Sequence, residues 1–83
     1  MRLDKTLTNA LLLVAEEWCN GSKSYMITHP GQHESLVGFS IEAINYHLKQ
    51  LVDDGMLQGQ LSEDGVWFRD ITPRGRDYLN TLS

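Results

Sequence analysis

The 83-residue sequence predicts one α+β domain, residues 1–83, with three main helices and an antiparallel hairpin. Three observations predict this class. Apolar residues recur at helical spacing in two long segments. Two β-rich runs after Gly55 are joined by the polar turn Ser62–Gly65, which is typical of a hairpin. Thr72-Pro73 then opens a third helix, because threonine caps helices and proline is favoured at the first helical position.

The first helix is expected from about Asp4 to Trp18, with the Asp4 carboxylate as its cap and Asn20-Gly21 as its end. One face carries apolar residues at helical spacing: Leu3, Leu7, Ala10, Leu11, Val14 and Trp18. Leu12 and Leu13 lie off that face, so the middle of the helix is apolar most of the way round. Such a helix is either buried on two sides or packed against another subunit.

The connection Ser22–Gln32 contains Tyr25–Thr28, which fits a short strand, and a Pro-Gly turn signal. Whether this strand pairs with the hairpin stays open. The next stretch, Gln32–Gly38, fits either one helical turn or an extended piece.

The central helix begins after Ser40, a good N-cap, and Gly55 closes it. Its apolar stripe is Ile41, Ile44, Leu48, Leu51 and Val52. The outward face and its flank carry Glu42, Asn45, Tyr46, Lys49, Gln50 and Asp53. His47 flanks the stripe, and we expect it to be half-buried and hydrogen-bonded to backbone, with pH sensing as the alternative. The inner face of the third helix is expected to carry Gly75, Tyr78, Leu79 and Leu82, with Gly75 allowing a close backbone approach.

The order of helix, capped helix, Asp54–Leu57, hairpin and Ile71–Leu79 resembles the winged helix-turn-helix of MarR- and PadR-type regulators. More closely, Gly38–Leu48 with Leu51 and Gly55–Leu57 resembles an uncharacterised family of small bacterial and phage proteins. The signature of that family is Gly-aromatic-Ser, then Ile, Tyr-His-Leu and Gly-Leu-Ile. The resemblance implies a winged-helix fold with a two- or three-stranded antiparallel wing, and it raises DNA binding as a possible function.

One departure from this pattern concerns the helix-turn-helix itself. A standard motif has a full helix before the recognition helix, whereas Gln32–Gly38 has room for about one turn.

Composition and charge exclude several classes of function. No apolar run approaches the roughly 18 residues that are needed to cross a membrane. Asp4 also lies where a signal peptide would carry positive charge, so we expect a cytoplasmic protein. The single Cys19 excludes an internal disulfide and a multi-cysteine zinc site. His29 and His33 are too few for a metal site. We find no nucleophile–base pair, phosphate loop or carboxylate dyad, and we expect neither an enzyme nor a cofactor.

The resemblance makes the central helix a candidate reader of double-stranded DNA. Asn45 and Gln50 can pair with adenine, and Lys49 can reach guanine or phosphate. The full candidate set for nucleic acid is Asn45, Tyr46, Lys49, Gln50, Arg69, Arg74 and Arg76. The other interpretation is an ordinary solvated face, because the net charge is −4 and the turn residues Glu63-Asp64 are acidic. Arg74 and Arg76 then serve solubility or pair with Asp70 and Asp77.

A protein partner is the alternative ligand. The candidate residues for it are Leu12, Leu13, Tyr46 and Trp67. Trp67 and Phe68 point to opposite sides of a strand, so one of them is expected to be exposed, although packing of Trp67 against the helices is slightly favoured. A homodimer is expected by analogy with winged-helix regulators, with Leu12, Leu13 and the C-terminal helix as its surface. The leading function is DNA binding or transcription regulation, and the alternative is a protein-interaction adaptor that does not bind DNA.

Overall fold

A computed structural model describes residues 3–81 of the chain. Its helices are α1 (Lys5–Trp18), α2 (Ile41–Asp53) and α3 (Pro73–Thr81), and its strands are β1 (Leu57–Ser62) and β2 (Gly65–Ile71). Between α1 and α2 lie two single 3₁₀ turns, Pro30–Gln32 and Glu34–Leu36. The three helices and the two-stranded antiparallel sheet confirm the predicted α+β class.

The predicted helix starts are confirmed in their capping atoms. Asp4 Oδ1 accepts hydrogen bonds from the backbone N–H groups of Thr6 at 2.8 Å and Leu7 at 3.3 Å. Ser40 Oγ accepts from the Ala43 N–H at 3.1 Å. These bonds satisfy donors that have no partner inside the first turn of a helix, which is why both helices begin where the sequence predicts.

Helix α1 is buried on two sides within its own chain. It contacts α2, β2, α3 and the Glu34–Leu36 turn. Leu12 is 0% exposed and belongs to the core, whereas Leu13 is 53% exposed. The prediction that Leu12 lies on a dimer surface is therefore wrong, because the elements around α1 cover its off-stripe side as well. Only Leu13 of that pair is open to a partner.

The hairpin has a tighter turn and a less regular ladder than expected. Ser62 pairs with Gly65, so the turn is the two residues Glu63-Asp64 rather than four. Opposite Gly59, β2 carries one extra residue, Arg69, because Gln58 pairs with Asp70 while Gly59 pairs with Phe68. This is a β-bulge, and it changes the alternation of side chains along the strand.

The bulge decides which aromatic residue of β2 is buried. It brings Phe68 and Ile71 to the inner face although they are three positions apart, and these residues are 1% and 4% exposed. Trp67 points the other way and is 45% exposed. The favoured prediction that Trp67 packs against the helices is therefore wrong, and its exposure agrees with its choice as a partner candidate.

The Tyr25–Thr28 segment touches the hairpin at one point. The Tyr25 N–H donates to the Phe68 carbonyl at 2.7 Å, and the Phe68 N–H donates back at 2.9 Å. No further pair follows, so the sheet among the described residues stays two-stranded. The chain turns away because the Gln32 side-chain oxygen accepts from the backbone N–H groups of Thr28 and His29.

The segment before α2 forms the two 3₁₀ turns in place of a full helix. Leu36 in the second turn is 0% exposed and fills the core at this position. At the other end of the chain, Thr72 Oγ1 accepts from the Gly75 N–H at 3.1 Å and caps α3 as predicted. A Cβ on Gly75 would lie 2.3 Å from the Met56 carbonyl oxygen, which confirms the predicted close approach. Leu82 lies outside the described residues.

Candidate binding site between helix α2 and the hairpin

The exposed side of α2 and the tip of the hairpin enclose a groove of about 410 Å³, which we call the α2–hairpin groove. Helix α2 contributes Glu42, Asn45, Tyr46 and Lys49, and the hairpin contributes residues 61–66. Contacts of two glycines give the orientation of the hairpin. A Cβ on Gly59 would lie 3.2 Å from Val52 Cγ2, and one on Gly65 would lie 3.3 Å from Asn45 Oδ1. The base of the hairpin is therefore beside the end of α2, and its tip is beside the start.

The groove is acidic at the tip of the hairpin. Glu63 and Asp64 form the turn, and Glu42 is in the first turn of α2 at the same end of the groove. Lys49 lies about two helical turns further along α2, toward the base of the hairpin. All four side chains are exposed, so the groove carries three carboxylates at one end and one ammonium group toward the other.

The lining between these charges is partly apolar. Leu61 is 44% exposed and pairs across the hairpin with the buried Val66. Tyr46 is half-buried, and its ring lies edge-on to the His47 ring with 5.6 Å between centroids. Leu61 has the same parity along β1 as the buried Leu57. It is nevertheless exposed, because the tip of the hairpin extends beyond the core.

Asn45 carries an unsatisfied polar atom at this groove. Its Oδ1 is buried beside Gly65 and accepts no hydrogen bond from any residue of the described part of the chain. A buried acceptor without a donor destabilises the folded state by about 1–3 kcal/mol. Such groups are uncommon in native proteins.

His47 fixes α2 relative to α1 behind the groove. The residue is 2% exposed, and its Nδ1 lies 2.7 Å from the Ala43 carbonyl oxygen. Its Nε2 accepts from the Asp4 N–H at 2.7 Å. Because a carbonyl only accepts and an N–H only donates, these two bonds fit the tautomer of the ring that carries its proton on Nδ1. The expected backbone hydrogen bonding is confirmed, and the ring is buried more completely than predicted.

The structure does not bring the seven nucleic-acid candidates together. Asn45, Tyr46 and Lys49 share the α2–hairpin groove. Gln50 instead lines a separate cavity of about 280 Å³ among the helices, beside Leu3, Leu51 and Tyr78.

The three arginines lie apart from the groove. The Arg69 guanidinium donates to the Gly21 carbonyl at 2.8 Å. Arg76 lies 3.6 Å from Glu16 and 4.0 Å from Asp70, so one of its two predicted partners is present together with one that the sequence did not indicate. Arg74 is exposed on α3. Two of the three arginines therefore already have structural contacts.

The partner candidates are also separated. Tyr46 lies in the α2–hairpin groove, whereas Trp67 lines a concave surface on the other face of the hairpin with Ser24 and Arg69. Leu13 is on α1. Another concave surface, of about 520 Å³, lies at the end of α1 and includes Trp18. The sequence did not predict this surface, because it forms only where the connection after α1 folds back on the end of that helix.

One titratable side chain of the described residues, Cys19, has a strongly shifted pKa. Burial, and next the negative charge of Asp70, raise the pKa of the Cys19 thiol to about 11, so the thiol stays protonated and poorly nucleophilic at neutral pH. Within residues 3–81, no three His, Cys, Asp or Glu side chains are grouped so as to hold a metal ion. His33 Nε2 instead lies 3.0 Å from Glu17 Oε2. None of the helices described is long and apolar enough to cross a bilayer.

Comparison of the chain with protein-family models found no match, and comparisons with curated proteins and with solved structures found none either. The winged-helix assignment therefore rests on the residues that carry the resemblance and on the arrangement of the elements.

Proposed function

We propose that this chain is a winged-helix domain that acts as a non-enzymatic protein-binding module through the α2–hairpin groove. Helix α2 takes the place of the recognition helix, the β1–β2 hairpin that of the wing, and the Tyr25 bridge that of the additional strand. The two 3₁₀ turns take the place of the helix that precedes a standard recognition helix. This element order supports the fold, and the function must be argued from the groove itself.

The charge of the groove is the observation that carries this proposal. Affinity for duplex DNA comes largely from phosphate neutralisation by Lys and Arg. Here Glu42, Glu63 and Asp64 stand where phosphates would approach, with Lys49 as the single cation of the groove lining. The hairpin cation Arg69 donates to Gly21 instead. A protein partner does not need a cationic surface.

The apolar part of the groove suits the same kind of ligand. Leu61 is an exposed apolar side chain between two polar neighbours on β1, and 44% of it is accessible. Tyr46 presents an aromatic ring to the same groove. Tyrosine is among the side chains that contribute most of the binding energy in many protein interfaces, and the apolar surface around such a residue helps to exclude water.

Site-specific photo-cross-linking tests this proposal. The photoreactive residue p-benzoylphenylalanine replaces Leu61 in the full chain, and a second variant carries it at Leu13, which is similarly exposed but lies on α1. We expect discrete protein adducts from position 61 and none of the same mass from position 13. Equal adduct patterns at both positions, or none at either, would contradict a specific protein-binding groove.

DNA binding is the second candidate function, and one observation favours it. Asn45 and Lys49 lie on the exposed side of α2 beside a hairpin, as base-reading side chains do in winged-helix proteins. If DNA is the ligand, affinity for a mixed duplex should fall steeply between about 50 and 200 mM salt. The variant Lys49→Ala should then lower the salt slope by about one unit. An absence of binding at low salt would leave the protein-binding proposal alone.

A further inference from the structure

We infer that the α2–hairpin groove takes a basic segment of a partner protein, with two or more Lys or Arg residues beside an apolar residue. This inference rests on the proposed function, because it names the partner chemistry of the same groove. Three features of the groove support it: the charge at its two ends, its apolar lining and its unpaired carboxylates.

The carboxylates at the tip are free to bind a ligand. Within residues 3–81, none of Glu42, Glu63 and Asp64 makes a salt bridge, whereas Glu16 on α1 pairs with Arg76. Unpaired acidic side chains on two facing elements produce a negative potential between them, and that potential attracts cationic groups into a concave site. The charge therefore selects against nucleic acids and in favour of a polycationic chain.

The lining between the carboxylates suits the stems of basic side chains. Lys and Arg lay their methylene groups on apolar surface and keep the charged group in water. Leu61 offers such a surface, and the ring of Tyr46 can also face a cation. A basic segment thus contacts both the apolar lining and the acidic rim.

Lys49 determines which end of the groove takes the cations of a bound segment. Because it lies toward the base of the hairpin and the carboxylates lie at the tip, cations of the segment belong at the tip. Lys49 repels them at the other end. Reversing its charge should therefore strengthen binding of a basic segment, whereas the same change should weaken binding of DNA, since it removes a phosphate contact.

The test is a fluorescence-anisotropy titration of the full chain with three labelled probes: the peptide Arg-Lys-Leu-Arg-Lys-Leu, its counterpart with Glu at each basic position, and a mixed DNA duplex. The chain variants are Glu63→Lys/Asp64→Lys at the tip, Lys49→Glu, and the charge-matched control Glu34→Lys/Asp77→Lys. The two control residues are exposed and lie outside the groove lining. Circular dichroism of each variant confirms that it is folded.

We expect the basic peptide to bind and the acidic peptide and the duplex not to bind. The tip variant should weaken basic-peptide binding by about tenfold or more, since two attractions become repulsions. The control should change it by less than about threefold, because charges beyond the Debye length of about 8–10 Å are screened. Lys49→Glu should strengthen binding by about threefold, since one repulsion becomes an attraction. Equal losses in the tip and control variants would overturn the inference, because net charge alone would then explain binding.

The titration and the cross-linking experiment can fail separately. If the basic peptide does not bind at about millimolar concentration while position 61 still yields specific adducts, the groove binds protein of another chemistry and this inference is wrong. If the duplex binds, more tightly to the tip variant and less tightly to Lys49→Glu, the proposed function and the inference are both wrong.

Discussion

Replacing the unsatisfied Asn45 with leucine should make the domain more stable. The two side chains have nearly the same shape, with two branches on Cγ, so Asn45→Leu removes the buried oxygen without opening a cavity. The gain is the desolvation cost of an unpaired acceptor, about 1–3 kcal/mol. Leucine also favours a helix over asparagine by a few tenths of a kcal/mol. For a domain of this size, each kcal/mol raises Tm by about 4–8 °C.

Urea unfolding followed by far-UV circular dichroism measures this change as a shift of the midpoint at constant slope. Asn9 on α1 is a matched control, because its Oδ1 is also buried without a partner and it lies outside the groove lining. Asn9→Leu should stabilise to a similar extent and leave peptide binding unchanged. Asn80→Leu, on the exposed side of α3, isolates helix propensity. If Asn45→Leu proves neutral or destabilising while Asn80→Leu behaves as expected, the Asn45 oxygen has a donor and the reasoning is refuted.

Three further predictions test the fold. Leu12→Ala should destabilise by about 2–5 kcal/mol because Leu12 is in the core, whereas Leu13→Ala should stay within about 0.5 kcal/mol; equal effects would mean that a second copy covers Leu13. Gly75→Ala should destabilise by about 1–3 kcal/mol, although alanine is the better helix former, because its Cβ would meet the Met56 carbonyl; a gain in Tm would show that α3 can shift. Iodoacetamide should alkylate Cys19 about 100-fold more slowly than an ordinary thiol of pKa 9.0, and the rate should rise with pH up to about 11; a normal rate at neutral pH would contradict the burial.

The raised pKa of Cys19 also gives a sign to the pH dependence of stability. The folded state holds the thiol proton more tightly than the unfolded state does. The contribution of the thiol to the free energy of unfolding is therefore complete below the ordinary pKa of 9.0. It is lost as the pH rises from there through about 11. The measurement is the difference in unfolding free energy between the wild-type chain and Cys19→Ser across this range. A difference that does not change with pH would be inconsistent with the shift.

The features that were predicted correctly are those that depend on residues close together in the sequence. The caps at Asp4, Ser40 and Thr72 each use a side chain two or three residues from the N–H it satisfies, so the sequence alone contains the necessary information. The close approach at Gly75 was also predicted, because glycine on the buried face of a helix indicates contact with backbone.

The errors arose where several elements meet. Alternation along the strand places Trp67 and Phe68 on opposite faces but does not say which face is buried. The bulge at Arg69 puts Phe68 on the buried face together with Ile71. Gly59 was the available signal, since a glycine inside a strand often marks a bulge. For Leu12 two alternatives followed from the sequence, and only the position of α3 and the second 3₁₀ turn against α1 decides between them.

The sequence predicted which kinds of residue the candidate site contains, but not which residues lie together in it. The acidic hairpin tip and the Tyr46-centred face of α2 were visible in the sequence, but the exposure of Leu61 and the separation of the three arginines from the groove needed the tertiary structure. The separation of the arginines from the groove favours protein binding over DNA binding. With Arg69 bonded to Gly21 and Arg76 beside Glu16, Lys49 is the one cation of the groove lining. Lys49 would contribute to DNA binding, whereas it repels a basic segment. The direction in which Lys49→Glu changes the affinity for each ligand therefore separates the two functions.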